Sequence, residues 1–270
     1  MSADRGDAYT ICAGGMDFRE LGRNIRQAVA RGARRIYLEG VCGQRYIAAG
    51  LTGDVSVVVR GVPGNDLGAF MDGPHIRVIG NVQDAVANTM SGGEIVVHGH
   101  ARNVLCYAMR GGRVYVRGDA GYRAGINMKA AGDRCPVLVI GGAAGGFLGE
   151  YMAGGRIVVL GTITGGWTGA GMHGGAICLR GGASPDRLSP DVRVCDLEDG
   201  DWSQVQEDVS EYCRFFDLDP DQFLASSFVK LVPRRLRPYG DQYTHDHGVL
   251  RGSALPAAGK SPADSNGAVM

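Results

Sequence analysis

The sequence has no excess of charge of either sign. Its 28 lysines and arginines balance 28 aspartates and glutamates, so the formal net charge over 270 residues is zero. A balanced chain lacks the positive field that attracts nucleic acid or an anionic membrane surface, and we expect neither as a partner. No apolar run approaches the ~20 residues of a spanning helix, and the N-terminus has no apolar signal core. The sequence therefore predicts a cytoplasmic protein.

Closely paired cysteines are also missing. The seven cysteines are scattered along the chain, and no two of them form a C-x-x-C pair. This pattern excludes a disulfide framework, a zinc site or an iron–sulfur cluster held by this chain alone. We interpret each thiol as a small buried or idle side chain. The seven are Cys12, Cys42, Cys106, Cys135, Cys178, Cys195 and Cys213.

Glycine, by contrast, is abundant, with 45 residues, and it marks a repeat. A four-residue extended run closed by a glycine occurs eight times between Ile36 and Gly181. The closing glycines are 21, 19, 19, 19, 23, 20 and 20 residues apart. A period near twenty that is sustained in this way predicts a solenoid whose units stack their cores on one another. The closing residues are Gly40, Gly61, Gly80, Gly99, Gly118, Gly141, Gly161 and Gly181.

The alternation within each run predicts which side chains point inward. The positions four and two places before the closing glycine are aliphatic in every copy, whereas the positions between them are mixed. Because side chains alternate across a strand, we expect the aliphatic set inside and the mixed set outside. In the copy closed by Gly141, this puts Val137 and Val139 inside. The later copies also carry an outward apolar patch, which a C-terminal layer or a partner must cover: Leu138, Ile140, Val158 and Leu160.

A methionine follows most of the runs by about ten residues, and we interpret this column as core filler. Thioethers are flexible and fit irregular gaps, so core packing is favoured over a metal or substrate site. The column consists of Met71, Met90, Met109, Met128, Met152 and Met172. Six places before each methionine stand residues that mostly tolerate a left-handed backbone. These are Asn65, Asp84, Asn103, Tyr122, Gly146 and Gly166.

These patterns together predict an all-β protein, a single-stranded, right-handed parallel β-helix of about seven coils with small helical caps. Twenty residues rich in glycine leave no room for the crossover helix of a βαβ unit, which needs about ten to twelve residues. The right hand follows from the strong preference of parallel crossovers.

The chain divides into four predicted segments. Residues 1–35 hold an N-terminal segment and a cap helix that begins with a capping box of Asp17 and Glu20. Residues 36–183 form the β-helix. Residues 184–240 form a helical and extended layer, with a helix near 202–216, a short helix after Pro220 and an extended run over 228–232. Residues 241–270 are rich in small and polar types and are predicted to be disordered.

The search for chemistry finds no catalytic constellation. Gly169, Gly171 and Gly174 match the G-x-G-x-x-G spacing, but they lead into a strand rather than a helix, which argues against a dinucleotide site. We interpret His173 as a hydrogen-bonded turn residue. Two segments, 41–46 and 64–73, carry more polar groups than turns require, and either a partner surface or idle turns would explain them. The candidate contact residues are Gln44, Arg45, Tyr46, Asn65, Asp66 and Asp72.

Several ungapped motifs resemble one family. GNDLGAFMDG at 64–73, GEYMAGG at 149–155 and GMHGG at 171–175 are similar to the G-x-G-x-G domain of glutamate synthase. The endings LVP at 231–233 and RPYG at 237–240 extend the likeness, which covers roughly residues 17 to 240. In that family the domain is the β-helical C-terminal part of the large subunit, and it also occurs as a stand-alone polypeptide.

The resemblance implies a non-catalytic structural subunit of a glutamate-synthase-like complex in glutamate biosynthesis and ammonia assimilation. Its partners would be glutaminase-type and FMN synthase-type protein subunits, with FMN and iron–sulfur clusters on those subunits and no cofactor on this chain. Whether the chain is itself an enzyme stays open. The fold also resembles the β-helical scaffold subunit of formylmethanofuran dehydrogenase and of the related formyltransferase/hydrolase complex, so a scaffold of that kind is the alternative.

Overall fold

The computed structural model describes residues 2–4 and 8–235, and its twelve strands form one sheet. The predicted tail from residue 241 and the RPYG motif at 237–240 lie outside the described residues. The elements are β1 (Ser2–Asp4), β2 (Ala8–Cys12), α1 (Phe18–Ala30), β3 (Arg35–Cys42), β4 (Ser56–Val62), β5 (His75–Ile79), β6 (Glu94–Val97), β7 (Arg113–Val116), β8 (Val137–Ile140), β9 (Ala153–Val159), β10 (Gly174–Arg180), β11 (Val192–Cys195), α2 (Asp199–Phe216), α3 (Asp221–Leu224) and β12 (Phe228–Pro233).

Strands β2 to β10 pair in parallel, each with the next strand along the chain. Val57, Ile76 and Ile95 stand side by side on neighbouring strands, so one coil takes 19 residues here. The fold is therefore a parallel β-solenoid of about seven coils, and the predicted β-helix is confirmed. Strand β2 extends the stack by one strand beyond the first predicted run.

One coil is out of phase with the prediction. Val114 pairs with Leu138 and Val116 pairs with Ile140, so Leu138 and Ile140 lie inside the solenoid and their neighbours Val137 and Val139 lie outside. The prediction had these two pairs reversed. The interval in this coil is 24 residues because extra residues form a corner at 129–134, where Ala131 pairs with Arg134. The amide of Gly142, rather than that of Gly141, donates to the Gly118 carbonyl, so Gly142 is the closing glycine.

The interior of the solenoid is filled along its whole length. The inward strand positions pack against the methionine column, and the six methionines are between 0% and 3% exposed. The interpretation of these methionines as core filler is confirmed. The prism therefore contains a packed hydrophobic core that runs from α1 to the last strands.

Helix α2 covers the outward side of the strands, which we call the strand face. Beneath it lie apolar side chains of the later coils: Tyr115, Val137, Val139, Val158, Leu160 and Cys178. The helix contributes Val205, Val209, Tyr212, Cys213 and Phe216. The C-terminal layer thus buries the predicted apolar patch, with Val137 and Val139 in place of Leu138 and Ile140.

Buried charges fix α2 to the strand face. Asp208 is fully buried and accepts hydrogen bonds from Arg113, at 3.1 Å, and from Arg156. Gln204 of the same helix accepts from Arg156 as well. Arg113 belongs to β7 and Arg156 belongs to β9, so these contacts hold the helix in one register across several coils.

Both ends of the parallel stack are closed. At the N-terminal end, Asp17 caps α1 by accepting from the amides of Arg19 at 2.7 Å and Glu20 at 2.9 Å, and α1 buries Leu21 and Ile25. At the C-terminal end, β12 runs antiparallel to β10 and β11 runs antiparallel to β12. Strand β1 reverses direction in the same way beside β2. No helix within 2–4 and 8–235 combines the length and apolarity needed to cross a membrane.

Candidate partner-binding face

One side of the solenoid is built from turns rather than strands, and we call it the turn face. In each coil it consists of the six residues before the buried methionine, such as residues 65–70 before Met71, and in the first coil it consists of residues 45–50 before the buried Leu51. Alternate residues of this segment have a left-handed backbone. In the last coil φ is +62° at Trp167, +73° at Gly169 and +63° at Gly171.

The alternation turns successive amide groups in opposite directions along the solenoid axis. The amides of Asp66 and Phe70 donate to carbonyls of the following coil, at 3.0 Å and 2.8 Å. Between them, the amide of Gly68 donates at 2.9 Å to the Ile47 carbonyl of the preceding coil. Each turn segment is therefore bonded to both neighbouring coils, which satisfies backbone groups that a simple turn would leave unpaired.

The predicted left-handed position was wrong by one residue. The backbone is left-handed five places before the methionine, at residues such as Asp66, rather than six places before it. The polar residues at the sixth place serve a different purpose. The side-chain oxygen of Asn65 accepts from the Asp84 amide at 3.3 Å, and that of Asp84 accepts from the Asn103 amide at 2.9 Å. These side chains form a ladder between coils, which explains their residue types.

Small residues three places before the methionine are required by packing. A Cβ atom at Gly68 would lie 2.7 Å from Ile95 Cδ1, and one at Gly149 would lie 2.7 Å from Ile177 Cδ1. The side chains one and five places before the methionine point away from the core instead. Because these outward positions do not pack in the core, the core does not restrict their residue type, and several of them hold aromatic residues.

Exposed aromatic side chains gather on the turn face. Phe70 is 61% exposed, Trp167 is 56% exposed and Tyr151 is 52% exposed. All the aromatic residues that are exposed in the described part of the chain lie on this face: Tyr46, Phe70, Tyr107, Tyr122, Tyr151 and Trp167. Large rings in contact with water form the type of surface that marks interaction sites.

Three of these residues, Tyr122, Tyr151 and Trp167, form with the half-buried Phe147 what we call the aromatic ladder. The ring centroids of Tyr122 and Phe147 are 5.2 Å apart, and those of Phe147 and Trp167 are 6.4 Å apart in a stacked arrangement. The Arg123 guanidinium lies 4.9 Å from the Tyr122 centroid and bonds Glu150 at 2.6 Å. The rings of Tyr122, Phe147 and Trp167 are thus held in place by one another and by an internal ion pair, and the Tyr151 ring lies close to Gly171.

A second aromatic group lies at the N-terminal end of the turn face. Tyr46 packs against Phe18 of the cap helix at 5.8 Å, and the Arg45 guanidinium lies 5.0 Å from the Phe18 centroid. Two of the predicted contact residues, Arg45 and Tyr46, are therefore exposed on this face. Gln44 is buried and ties the cap to the first coil, because it donates to the Ala13 carbonyl at 2.9 Å.

The other predicted contact residues make internal bonds. Asn65 belongs to the side-chain ladder, Asp66 accepts from the Asn88 side chain at 2.9 Å, and Asp72 pairs with Arg134 at 3.0 Å. Sequence reasoning did not single out Phe147, Tyr151 and Trp167. The available signal was the occurrence of large rings at places where other copies of the repeat hold glycine, alanine or aspartate.

The titratable side chains in the described ranges form no cluster of three or more that would hold a metal ion. Burial raises the pKa of the Cys178 thiol to about 12 and that of the Cys213 thiol to about 11. His173 Nδ1 lies 3.1 Å from the Gly171 carbonyl, in keeping with its interpretation as a turn residue.

Comparison with known proteins gives the family. The model of the GXGXG motif family matches residues 23–236. The chain belongs to the GXGXG motif family. This is the type of domain found at the C-terminus of the glutamate synthase large subunit, as the resemblance of the motifs implied. In this GXGXG protein, the two-residue spacing in the family name matches the spacing of the left-handed residues of the turn face, as at 167, 169 and 171.

Two similar proteins extend the comparison. An uncharacterized protein of Methanocaldococcus jannaschii is 43% identical over 255 residues, which span 89% of this chain and 98% of that protein. A solved chain of the formyltransferase/hydrolase complex from Methylorubrum extorquens, in complex with methylofuran, gives a TM-score of 0.49 at 22% identity. That match covers 76% of this chain and 80% of the solved chain.

Proposed function

We propose that this chain is a structural subunit of a cytoplasmic glutamate-synthase-like complex, whose catalytic centres are on other chains. Glutaminase-type and FMN synthase-type subunits would be its partners, and they would carry the FMN and iron–sulfur clusters. In this arrangement the solenoid holds the two types of catalytic subunit at a fixed separation. Membership of the GXGXG family supports the proposal.

The observation that carries the proposal is that polar side chains with catalytic potential are used to hold the coils together. Asp208 bonds two arginines between α2 and the strands, and Gln44 bonds the carbonyls of the N-terminal cap. Asp84 links one coil to the next. These groups fix a rigid prism with a filled interior, and a prism of this kind offers its surfaces rather than a pocket to other molecules.

The test is purification of the tagged chain from its native host under gentle conditions, followed by mass spectrometry and a visible absorbance spectrum. We expect an FMN-containing iron–sulfur protein and a glutaminase to co-purify in fixed stoichiometry. The assembly should form glutamate from glutamine and 2-oxoglutarate, whereas the isolated chain should not.

Two results would contradict this proposal. Glutamate formation by the isolated chain would show that it is catalytic by itself. Co-purification of a metallohydrolase-like protein with a formyltransferase would instead support the scaffold of a one-carbon complex. The isolated chain, produced in a host that lacks the partners, is the control for both the spectrum and the assay.

A further inference from the structure

Large aromatic residues occupy strained backbone positions on the turn face. φ is +58° at Phe70, +58° at Phe147, +52° at Tyr151 and +62° at Trp167. A left-handed backbone costs a residue with a side chain roughly 1–2 kcal/mol, and glycine avoids most of this cost. The positions equivalent to Phe70 and Tyr151 hold glycine in other coils, as at Gly50 and Gly171. Those equivalent to Phe147 and Trp167 hold small or polar residues in other coils, as at Ala85 and Asp66. The fold therefore does not require aromatic residues at these positions.

In the part of the chain that the structure describes, burial does not offset the cost of this backbone strain. Phe70, Tyr151 and Trp167 are each more than half exposed to solvent, although the Tyr151 ring lies close to Gly171, where a Cβ atom would be 2.4 Å from its Cδ1. A strained and exposed ring contributes little to the free energy of folding, since most of its apolar surface stays in water. Hydrogen bonds between coils account for the left-handed backbone, but they do not account for the choice of exposed rings at these positions. A strained residue type that stability does not explain is a feature of functional positions.

The charges of the aromatic ladder indicate the chemistry of what it binds. Arg123 is paired with Glu150, whose side chain is only 8% exposed, so the ladder presents a neutral surface. Aromatic enrichment with depletion of charge is the composition of the centre of a protein–protein interface. A nucleic-acid surface would instead need unpaired lysines or arginines beside the rings to contact phosphates.

We infer that the aromatic ladder is the docking surface for a different protein whose contacting surface is apolar and carries little charge. This inference rests on the proposed function, since the partner would be another subunit of the same complex. Trp167, Tyr151 and Phe147 would supply the central contacts. The stacking of Phe147 on Trp167 fixes these two rings before binding, which lowers the entropy that association must offset.

The test compares the tagged wild-type chain with a double variant that carries Tyr151→Gly and Trp167→Gly, both purified from the native host. Glycine suits the left-handed backbone at both positions, so the double variant should unfold at the same urea concentration as the wild type or a higher one. Removal of two central rings should reduce recovery of the companion subunits about tenfold or more. Val194→Ala is the matched control, because Val194 is 53% exposed but lies on strand β11, and it should leave recovery unchanged.

A footprint on the assembled complex gives a second readout. The chain has two tryptophans, Trp167 on the ladder and Trp202 packed against Phe228. Hydroxyl-radical oxidation of Trp167 should be several-fold slower in the complex than in the isolated chain. Oxidation of Trp202 should proceed at the same rate in both.

The contrary outcomes are distinguishable. Companions that co-purify equally with the double variant, with Trp167 unprotected, would overturn the docking surface and leave the proposed function standing. A wild-type chain that purifies alone would overturn both. Concentration-dependent dimerisation of the wild type that the variant lacks would make the occupant a second copy. Salt-dependent binding of oligo(dT) that the variant lacks would make it a nucleic acid; either result overturns the inferred partner.

Discussion

The strand face and the turn face both carry large apolar side chains, but the part of the chain that the structure describes covers only one of them. On the strand face, α2 buries residues such as Tyr115 and Val158, which are 0% exposed. On the turn face, Phe70 and Trp167 remain more than half exposed. Within residues 8–235, the element that covers apolar rings, helix α2, lies on one side of the solenoid only. The rings of the other side are left accessible to another molecule.

The two faces also differ in how they use charge. On the strand face, the buried Asp208 joins Arg113 and Arg156 and attaches a helix to the sheet. On the turn face, Arg123 and Glu150 lie on neighbouring coils and neutralise each other without attaching another element. Charge therefore holds α2 in place on the strand face, whereas at the aromatic ladder the two charges cancel.

A new charge should have opposite consequences on the two faces. Val139→Asp puts a carboxylate without a partner under α2, where Val139 is 0% exposed, and should lower the free energy of unfolding by roughly 4 kcal/mol or more. Tyr151→Asp, on the turn face, should change it by less than about 1 kcal/mol. Urea unfolding followed by circular dichroism measures both. Equal losses would show that the turn face is also buried in the isolated chain.

Removal of the charge that attaches α2 should be the next largest effect. Asp208→Asn leaves Arg113 and Arg156 without their buried anion, and should lower the free energy of unfolding by roughly 3–5 kcal/mol. Glu207→Gln is the control, because the Glu207 side chain is 66% exposed and its pair with Arg113 should contribute less than about 1 kcal/mol. If Asp208→Asn unfolds like its control, the ion pairs do not hold the helix.

A buried hydroxyl behind the turn face offers a stabilising change. Thr168 is 0% exposed, and its Oγ1 has no hydrogen-bond partner within the described part of the chain. Thr168→Val keeps the shape, removes the unpaired hydroxyl, and should raise the free energy of unfolding by about 1 kcal/mol. Thr164→Val should lower it by about 1 kcal/mol, because the Thr164 hydroxyl donates to the Ala144 carbonyl at 3.1 Å. The sign of the difference between the two variants is the critical result.

The smallest expected effect is a pH dependence at the edge of the strand face. Burial against Phe216 lowers the pKa of His98, and the charges of Arg77 and Arg117 lower this pKa further, with Asp217 acting in the opposite direction. The folded chain then binds this proton less readily than the unfolded chain does. His98 therefore contributes its full stability above pH 6.5, the ordinary histidine value, and this contribution declines as the pH falls below it.

The measurement for His98 is urea unfolding of the wild type and His98→Gln at several pH values between 7.5 and 5. The difference between the two proteins should be constant above pH 6.5 and should shift in favour of the variant below it. A difference that does not change with pH would show that His98 titrates alike in the folded and unfolded chains.

The repeat made most of the fold predictable, because coil length and side-chain alternation are local patterns. The coil of Val137 was the exception. Its four strand residues are all apolar, so alternation gave no direction, and the adjacent Gly141 and Gly142 left two choices for the closing glycine. Only pairing with Val114 and Val116 on the neighbouring strand decides between them. Register between strands is not a local property.

The candidate site was less predictable for a similar reason. The left-handed positions are set by hydrogen bonds between coils, such as that from the Phe70 amide to the Asn88 carbonyl, rather than by the preferences of single residues. Reasoning from residue type favoured asparagine, aspartate and glycine for a left-handed backbone and overlooked Phe147 and Trp167. The exposure of these rings depends on which columns point outward, and that became known only with the turn geometry.

The in-register stacking of 19-residue coils gives this molecule a stepwise length. Ile76, Ile95 and Val114 are related by one coil each, so insertion or deletion of a whole coil preserves every pairing around it. The separation between Tyr46 and the aromatic ladder therefore changes only in increments of one rung, about 4.8 Å. A partner that contacts both Tyr46 and the aromatic ladder would bind only those relatives that have the matching number of coils.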